Sequence, residues 1–293
     1  MQIINTVAEL RKTLAGQGKV GQKIGFVPTM GNLHAGHIHL VELAKQHANC
    51  VVVSIFVNPL QFSPTEDLST YPRTLKADCE KLNAAGCDIV FAPSVTEMYP
   101  DFDGKNLNQS MTIMPPPIAN VLCGATRLSH FSGVATVVMK LFNMVTPDIA
   151  IFGKKDFQQL FIIKQMVAQF NLPIEIIAGE TVREANGLAL SSRNGYLNDA
   201  QRASASQLNS ALQSIVMNIK QGNANFEQLE NAAINSLTQQ GWEVDYISIR
   251  SSATLQIATA LDKALVVLGA AKIINKTGGK TRLIDNIEFR VSD

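Results

Sequence analysis

The sequence predicts an α/β fold in two parts: a parallel sheet covered by helices over residues 1–178, then a smaller α+β domain over residues 179–293. Three observations carry this expectation. In the first part short apolar stretches at Lys23–Val27, Cys50–Val57 (CVVVSIFV), Asp88–Ala92 and Asp148–Phe152 alternate with helical patterns, and Cys50–Val57 reads as a continuous apolar strand of the kind buried on both faces of a parallel sheet. Polar turns rich in glycine or proline follow several of these runs, where open α/β sheets bind ligands. From Asp199 the alternation stops, and long helical patterns at 199–220 and 226–239 precede strands at 243–250 and 264–273.

Length and composition bound the function. A chain of 293 residues has room for one large or two ordinary domains. With 46% hydrophobic and 17% charged residues it can bury a core. A net charge of +1 supplies no global field for nucleic acid or an anionic membrane, so a small anionic substrate fits better. No apolar run approaches the ~20 residues of a membrane span, and the N-terminus lacks a signal-peptide core, which makes the cytoplasm the expected location. The four cysteines form no C-x-x-C pair and sit beside no metal-type histidine spacing; they are expected to be buried thiols, with neither disulfide nor metal.

Each element follows in order. Ile3–Leu14 reads as a short strand and an amphipathic helix, broken by Gly16, Gly18 and Gly21 before the strand at 23–28. A helix over Gly36–His47 leads into the CVVVSIFV strand, which Pro59 ends. Pro72 is expected to open a helix that stops at Gly86, with proline at the start and glycine at the end. After the strand at 88–92, Thr96–Gln109 reads as a solvent-facing excursion. Further helices are expected at about Val134–Val145 and from Gly153–Gln159 to Phe170, and a strand at Leu172–Ile177. Asn275–Lys280 reads as a hairpin turn into Thr281–Phe289. Trp242 and Phe289 are assigned to the second core, and His39 and His47 to solvent.

Five polar clusters stand out, of which Pro28–His37 (PTMGNLHAGH) organises the rest. Gly31 and Gly36 remove side chains at a strand-to-helix junction, where a helix N-terminus attracts anions. His34 and His37, three apart, leave the same helix face. The same ten residues also suit an ordinary capped turn, and alone they leave both readings open. In Asn58–Phe62 (NPLQF) a turn explains Asn58 but not the amide of Gln61. Gly124–Gly133 (GATRLSHFSG) brings Arg127 and His130 ahead of a helix, either as site residues or as a solvated arginine and a cap. Gly153–Gln159 (GKKDFQQ) repeats the glycine turn with charged residues, and Ser191, Ser192 and Arg193 are consecutive donors suited to phosphate.

His34-Ala35-Gly36-His37 resembles the H-x-G-H signature of the nucleotidylyl transferase superfamily. Together with SIFVNPLQF, YPRTL, KDFQQ and LSSRNGYL in this order, the chain resembles the pantothenate synthetase family from about Ile3 to Asp285. The resemblance implies a Rossmann-like ATP- and pantoate-binding domain, a C-terminal lid domain and a cytoplasmic homodimer. It implies a ligase that condenses pantoate with β-alanine through pantoyl adenylate, using ATP as substrate with Mg2+ carried on its phosphates, and binding neither nucleic acid nor membrane. It also implies roles. Met30, Gly31, His34, His37, Gly153, Lys155, Asp156, Ser191, Ser192 and Arg193 would hold ATP, with His34, His37, Lys155 and Arg193 catalytic and no metal ligand from the protein. Gln61, Gln159, Asn58 and Arg127 would hold the substrate acids, with Gln158 completing the pocket. A transferase that keeps the adenylate as product and a nucleotide-binding regulator are rival readings, and both leave Gln61 and Gln159 without a task. Where the family commonly carries glutamate this chain has Cys123 and Lys154, Ala35 replaces an acidic residue, and Leu128-Ser129 replace Pro-Gly. Lys154, next to Lys155, is expected to add positive charge over the phosphates.

Overall fold

A computed structural model describes residues 1–17, 22–62, 68–69 and 71–291. In chain order these residues form β1 (Gln2–Ile4), α1 (Val7–Gln17), β2 (Ile24–Thr29), α2 (Ala35–His47), β3 (Cys50–Ile55), α3 (Leu75–Ala84), β4 (Ile89–Phe91) and α4 (Val95–Met98). There follow α5 (His130–Val145), β5 (Ile149–Gly153), α6 (Phe157–Gln169), β6 (Glu175–Gly179), α7 (Asp199–Ala205), α8 (Gln207–Lys220), α9 (Phe226–Gln239), β7 (Glu243–Ser251), β8 (Ala264–Ile274) and β9 (Lys280–Arg290). Two compact units result: Met1–Gly153 with Gln159–Gly179, and Lys154–Gln158 with Glu180–Asp293.

The first unit is a Rossmann-like layer structure around a parallel sheet of order β1-β4-β3-β2-β5-β6. Its central strands are mostly apolar because both faces are covered. Phe26, Val52, Phe91, Ala150 and Phe152 point to one face, where they pack with Leu10, Leu141, Phe142 and Ile163. Their neighbours Val27, Val51, Val53, Val90 and Ile151 point to the other and meet Leu40, Val41, Ala44 and Leu82. Burying each such side chain contributes about 1.5–3 kcal/mol, which fixes the register. The strand order reverses between β2 and β5, so their carboxyl ends flank the crevice in which doubly wound sheets bind ligands.

The second unit packs α8 and α9 on the antiparallel sheet β7-β8-β9. Trp242 and Phe289 lie in its core, as expected, and the Trp242 indole donates to Gln207 Oε1 at 2.9 Å. The hairpin between β8 and β9 closes with Asn275 N donating to Gly279 O.

Several boundaries differ from expectation for identifiable reasons. α3 starts at Leu75 rather than Pro72, with Thr74 as its N-cap and the Thr74 hydroxyl donating to Asp78 Oδ2 at 2.9 Å. β6 begins after Pro173, which offers no N–H to a ladder. The pattern at 199–220 is split at Ser206, whose hydroxyl donates to Ala203 O at 2.7 Å and competes with the helix ladder. α5 begins at His130, four residues early, and its glycine is a packing residue: a Cβ on Gly133 would lie 2.3 Å from Leu60 O. The stretch after β4 opens on α4, capped by Ser94, and Met98 and Tyr99 are wholly buried. Gly18 and Gly21 lie outside the described residues.

All four cysteines are free and buried, and burial, assisted by Asp88, pushes the Cys50 and Cys87 thiols up to about 11 and about 12. His47 is exposed, while His39 is half-buried rather than fully in solvent.

Candidate active site

At the end of β2 the chain must leave the sheet and enter α2 within a few residues. Gly31 and Asn32 do this with consecutive positive φ values of 83° and 51°. Such a turn leaves its main-chain donors without ladder partners, and α3 answers them. The buried Asp78 carboxylate accepts from Asn32 N at 2.9 Å and Leu33 N at 2.8 Å, while Lys81 Nζ donates to Leu33 O at 2.6 Å. Gly31 is held closely as well: a Cβ there would stand 3.1 Å from Ile55 and 3.2 Å from Asp78. In the sequence Asp78 is simply one position within the helix expected between Pro72 and Gly86. Its signal in the sequence is an aspartate four residues before Leu82 on the apolar side.

His34 is the N-cap of α2. Its Nδ1 accepts from Gly36 N at 3.1 Å, and its own N–H donates to His37 Nδ1 at 3.3 Å, completing a capping box made of two histidines. The ring centroids are 4.1 Å apart. Because both Nδ1 atoms accept from main-chain N–H groups, the hydrogen-bond pattern assigns the proton of each neutral ring to Nε2. Capping and anion binding are therefore compatible: one nitrogen of each ring serves the helix, and the other is a donor.

At the end of β3 a 3₁₀ turn, Pro59–Gln61, carries the next candidates. Gln61 is 8% exposed; its Oε1 accepts from Asn58 Nδ2 at 3.2 Å and its Nε2 lies 2.9 Å from Met30 Sδ. Asn58 departs from the sequence expectation. It is 1% exposed, its Nδ2 also donates to Gly133 O, and its Oδ1 accepts from Leu60 N and from the Tyr99 hydroxyl at 2.6 Å. Its amide is thus committed to partners within the protein, Gln61 among them. Tyr99, overlooked in the sequence, is kept protonated by burial, which pushes its phenol above the ordinary range. Arg127 and His130 join the same neighbourhood. Arg127 can only donate to His130 Nε2, at 3.1 Å, so His130 Nδ1 donates to Gln61 O at 2.8 Å.

Gly153 ends β5, and Gln159 lies half-buried in the first turn of α6, beside a buried Gln158. In the second unit Lys154–Asp156 form a 3₁₀ turn whose Lys154 and Lys155 carbonyls both accept from Asn286 Nδ2 at 2.9 Å. Neighbouring Asp285 is buried and takes Arg183 bidentately at 2.7 and 2.9 Å, and Asn209 Nδ2 at 2.9 Å. Lys155 and Ser191 line one small cavity; Ser191 Oγ caps the turn Ser192–Tyr196 by accepting from Arg193 N, and Asp156 is exposed. Lys154 does not follow the expectation that it augments Lys155. Its ammonium lies 2.6 Å from Glu180 and 3.0 Å from Glu288, lining a separate cavity of about 440 Å³. Burial works to lower its pKa, but these two carboxylates outweigh it and hold the ammonium above its ordinary value.

A parallel sheet with glycine turns, paired imidazoles and oriented amides at its carboxyl ends defines an α/β enzyme acting on small molecules. Comparison with known proteins places it further. Residues 2–288 match the family described as pantoate-beta-alanine ligase. The chain is 63% identical to the pantothenate synthetase of Methylobacillus flagellatus over 291 residues, 99% of each chain. It superposes on the pantothenate synthetase of Thermus thermophilus with a TM-score of 0.88 and 40% identity, covering 98% of this chain and 99% of that one. A Francisella tularensis pantoate-beta-alanine ligase, solved with beta-gamma ATP and beta-alanine, gives a TM-score of 0.78 at 35% identity, covering 98% and 97%. The chain belongs to the pantoate-beta-alanine ligase family, and its reaction is the ligation of pantoate with β-alanine.

Proposed function

We propose that the chain drives this ligation with ATP, through a pantoyl-adenylate intermediate formed and consumed without a covalent link to the protein. A pantoate carboxylate oxygen attacks the α-phosphorus, and the bond to pyrophosphate breaks. The amine of β-alanine, having lost its ammonium proton, then attacks the acyl carbon, and the carbon–oxygen bond to AMP breaks. The observation that carries this reading is the β2–α2 turn: two Nε2 donors, His34 and His37, at a helix N-terminus beside the point where the strand order reverses. Such chemistry asks a protein to position reactants and to stabilise charge on phosphate oxygens.

On this reading Met30, Gly31, His34 and His37 take the nucleotide at that turn. Gly153, Lys155, Asp156, Ser191, Ser192 and Arg193 are also assigned to ATP, with Lys155 and Arg193 neutralising phosphate charge. Gln61 and Gln159 read pantoate, Arg127 faces a substrate carboxylate, and Asn58 acts through Gln61. Mg2+ enters as part of the nucleotide, and the enzyme works as a cytoplasmic homodimer. The Francisella relative's ATP and β-alanine support the choice of ligands.

A rapid-quench assay tests the sequence of steps. With ATP and pantoate alone, pyrophosphate is expected to appear at about one equivalent per active site, with AMP released only when β-alanine is added. Pyrophosphate that never precedes the amine would sink the adenylate.

A further inference from the structure

We propose that Asn58, Tyr99 and Gly133 lock the Gln61 amide with its NH₂ group toward pantoate, so that the pantoate group read there is a hydrogen-bond acceptor. This deepens the reading above and rests on its assignment of Gln61 to pantoate.

An amide side chain has nearly the same shape either way round, so its orientation must come from partners of fixed polarity. Two main-chain groups supply them. Leu60 N–H can only donate, and it meets Asn58 Oδ1 at 3.3 Å; Gly133 C=O can only accept, and it meets Asn58 Nδ2 at 3.2 Å. The Tyr99 hydroxyl adds a second donor to Oδ1 at 2.6 Å. With Asn58 pinned at both ends, its NH₂ also faces Gln61 at 3.2 Å, where only Oε1 can answer it. Turning Gln61 over would set one NH₂ against another in a buried site, leaving donors unsatisfied.

What remains is the Gln61 NH₂ group, whose partner among the described residues is Met30 Sδ at 2.9 Å, a weak acceptor for a group with two donors. A hydroxyl or carboxylate oxygen is its natural complement, and a group that only donates is rejected. Gly133 belongs to the lock because its carbonyl reaches Asn58 only where α5 comes against Leu60, and a Cβ there would be 2.3 Å from Leu60 O.

Steady-state kinetics on the full-length enzyme separate this inference from the reading beneath it. Gln61→Ala is expected to raise the pantoate KM about tenfold or more, with the ATP KM within about twofold. Asn58→Asp keeps the shape but makes the partner an acceptor, turns Gln61 over, and is expected to raise the pantoate KM about tenfold. Tyr99→Phe keeps the ring and weakens the lock, for about a threefold rise, and it decides the matter if the aspartate variant does not fold. In the native enzyme the Gln61 side-chain ¹⁵N–¹H pair, identified by its absence in Gln61→Glu, is expected to shift on adding pantoate. An unchanged pantoate KM in Gln61→Ala removes both the reading and the inference. A raised KM there, with wild-type values in every folded lock variant or no shift of the amide pair, overturns the inference alone.

Discussion

The main-chain N–H of His34 donates to Nδ1 of His37, while Nδ1 of His34 accepts from Gly36 N, so two imidazoles cap one helix with the same ring atom. The arrangement makes a structural and a chemical role separable at a single position. Asparagine is as good an N-cap as any residue, but it has no counterpart of the imidazole Nε2. His34→Asn is therefore expected to keep the free energy of unfolding, measured in urea, within about 0.5 kcal/mol of wild type. The same change is expected to lower kcat about a hundredfold, the usual loss when one donor to a developing oxyanion is removed. A variant with wild-type turnover would show that His34 serves the helix alone.

Asp78 anchors the turn from behind. Its carboxylate accepts from Asn32 N, Leu33 N and Thr74 Oγ1, and the residue has no exposed surface. Asp78→Ala strands two buried main-chain donors and is expected to cost about 2–5 kcal/mol of stability. Asp78→Asn retains one acceptor oxygen and should recover part of the loss. Chemical denaturation measures both, and the ATP KM is expected to rise in the same order.

The parallel strands were legible because residues such as Phe26, Val27, Val52 and Val53 are apolar on both sides of the chain, and the two histidines because helical spacing fixes their common face. What escaped depends on partners distant in sequence. Asp78 meets Leu33 across 45 positions, and Tyr99 meets Asn58 across 41, so no local pattern marks either as part of the site. Gly133 misled for a related reason: glycine signals a loop and a close approach of two backbones in the same way, and only packing distinguishes them. Sequence sets Lys154 beside Lys155, whereas its ammonium is matched by Glu180 and by Glu288 on β9.

Gly133→Ala follows from the same close approach. The added carbon would be 2.3 Å from Leu60 O, 2.5 Å from Leu60 C and 2.8 Å from Gln61 N, all of them main-chain atoms that a rotamer change cannot relieve. Moving α5 away from the turn is expected to cost about 1–3 kcal/mol. It also displaces Gly133 O from Asn58, so the pantoate KM is expected to rise while the ATP KM holds. A stable variant with normal pantoate kinetics would mean that the turn can shift without disturbing Gln61.

Lys154→Glu is expected to weaken the second unit rather than change pyrophosphate release. The substitution replaces an ammonium between Glu180 and Glu288 with a third carboxylate. Those partners are 75% and 37% exposed, so solvent screening holds the loss of the pairs to about 1 kcal/mol, with like-charge repulsion adding a similar amount. Salt discriminates this cause from a packing defect: at about 1 M salt the screening length falls to about 3 Å and most of the difference in Tm should vanish. The pH dependence has a definite sign. The folded-state pKa of Lys154 is raised, so its contribution is complete below the unfolded lysine value and is lost only as pH climbs through the elevated one. The Tm gap between wild type and Lys154→Met, which keeps the stem without the charge, should accordingly stay constant through neutral pH and narrow only in strongly alkaline buffer. A gap that closes between about pH 6 and 8, the range in which histidine titrates, would assign the effect to a different group.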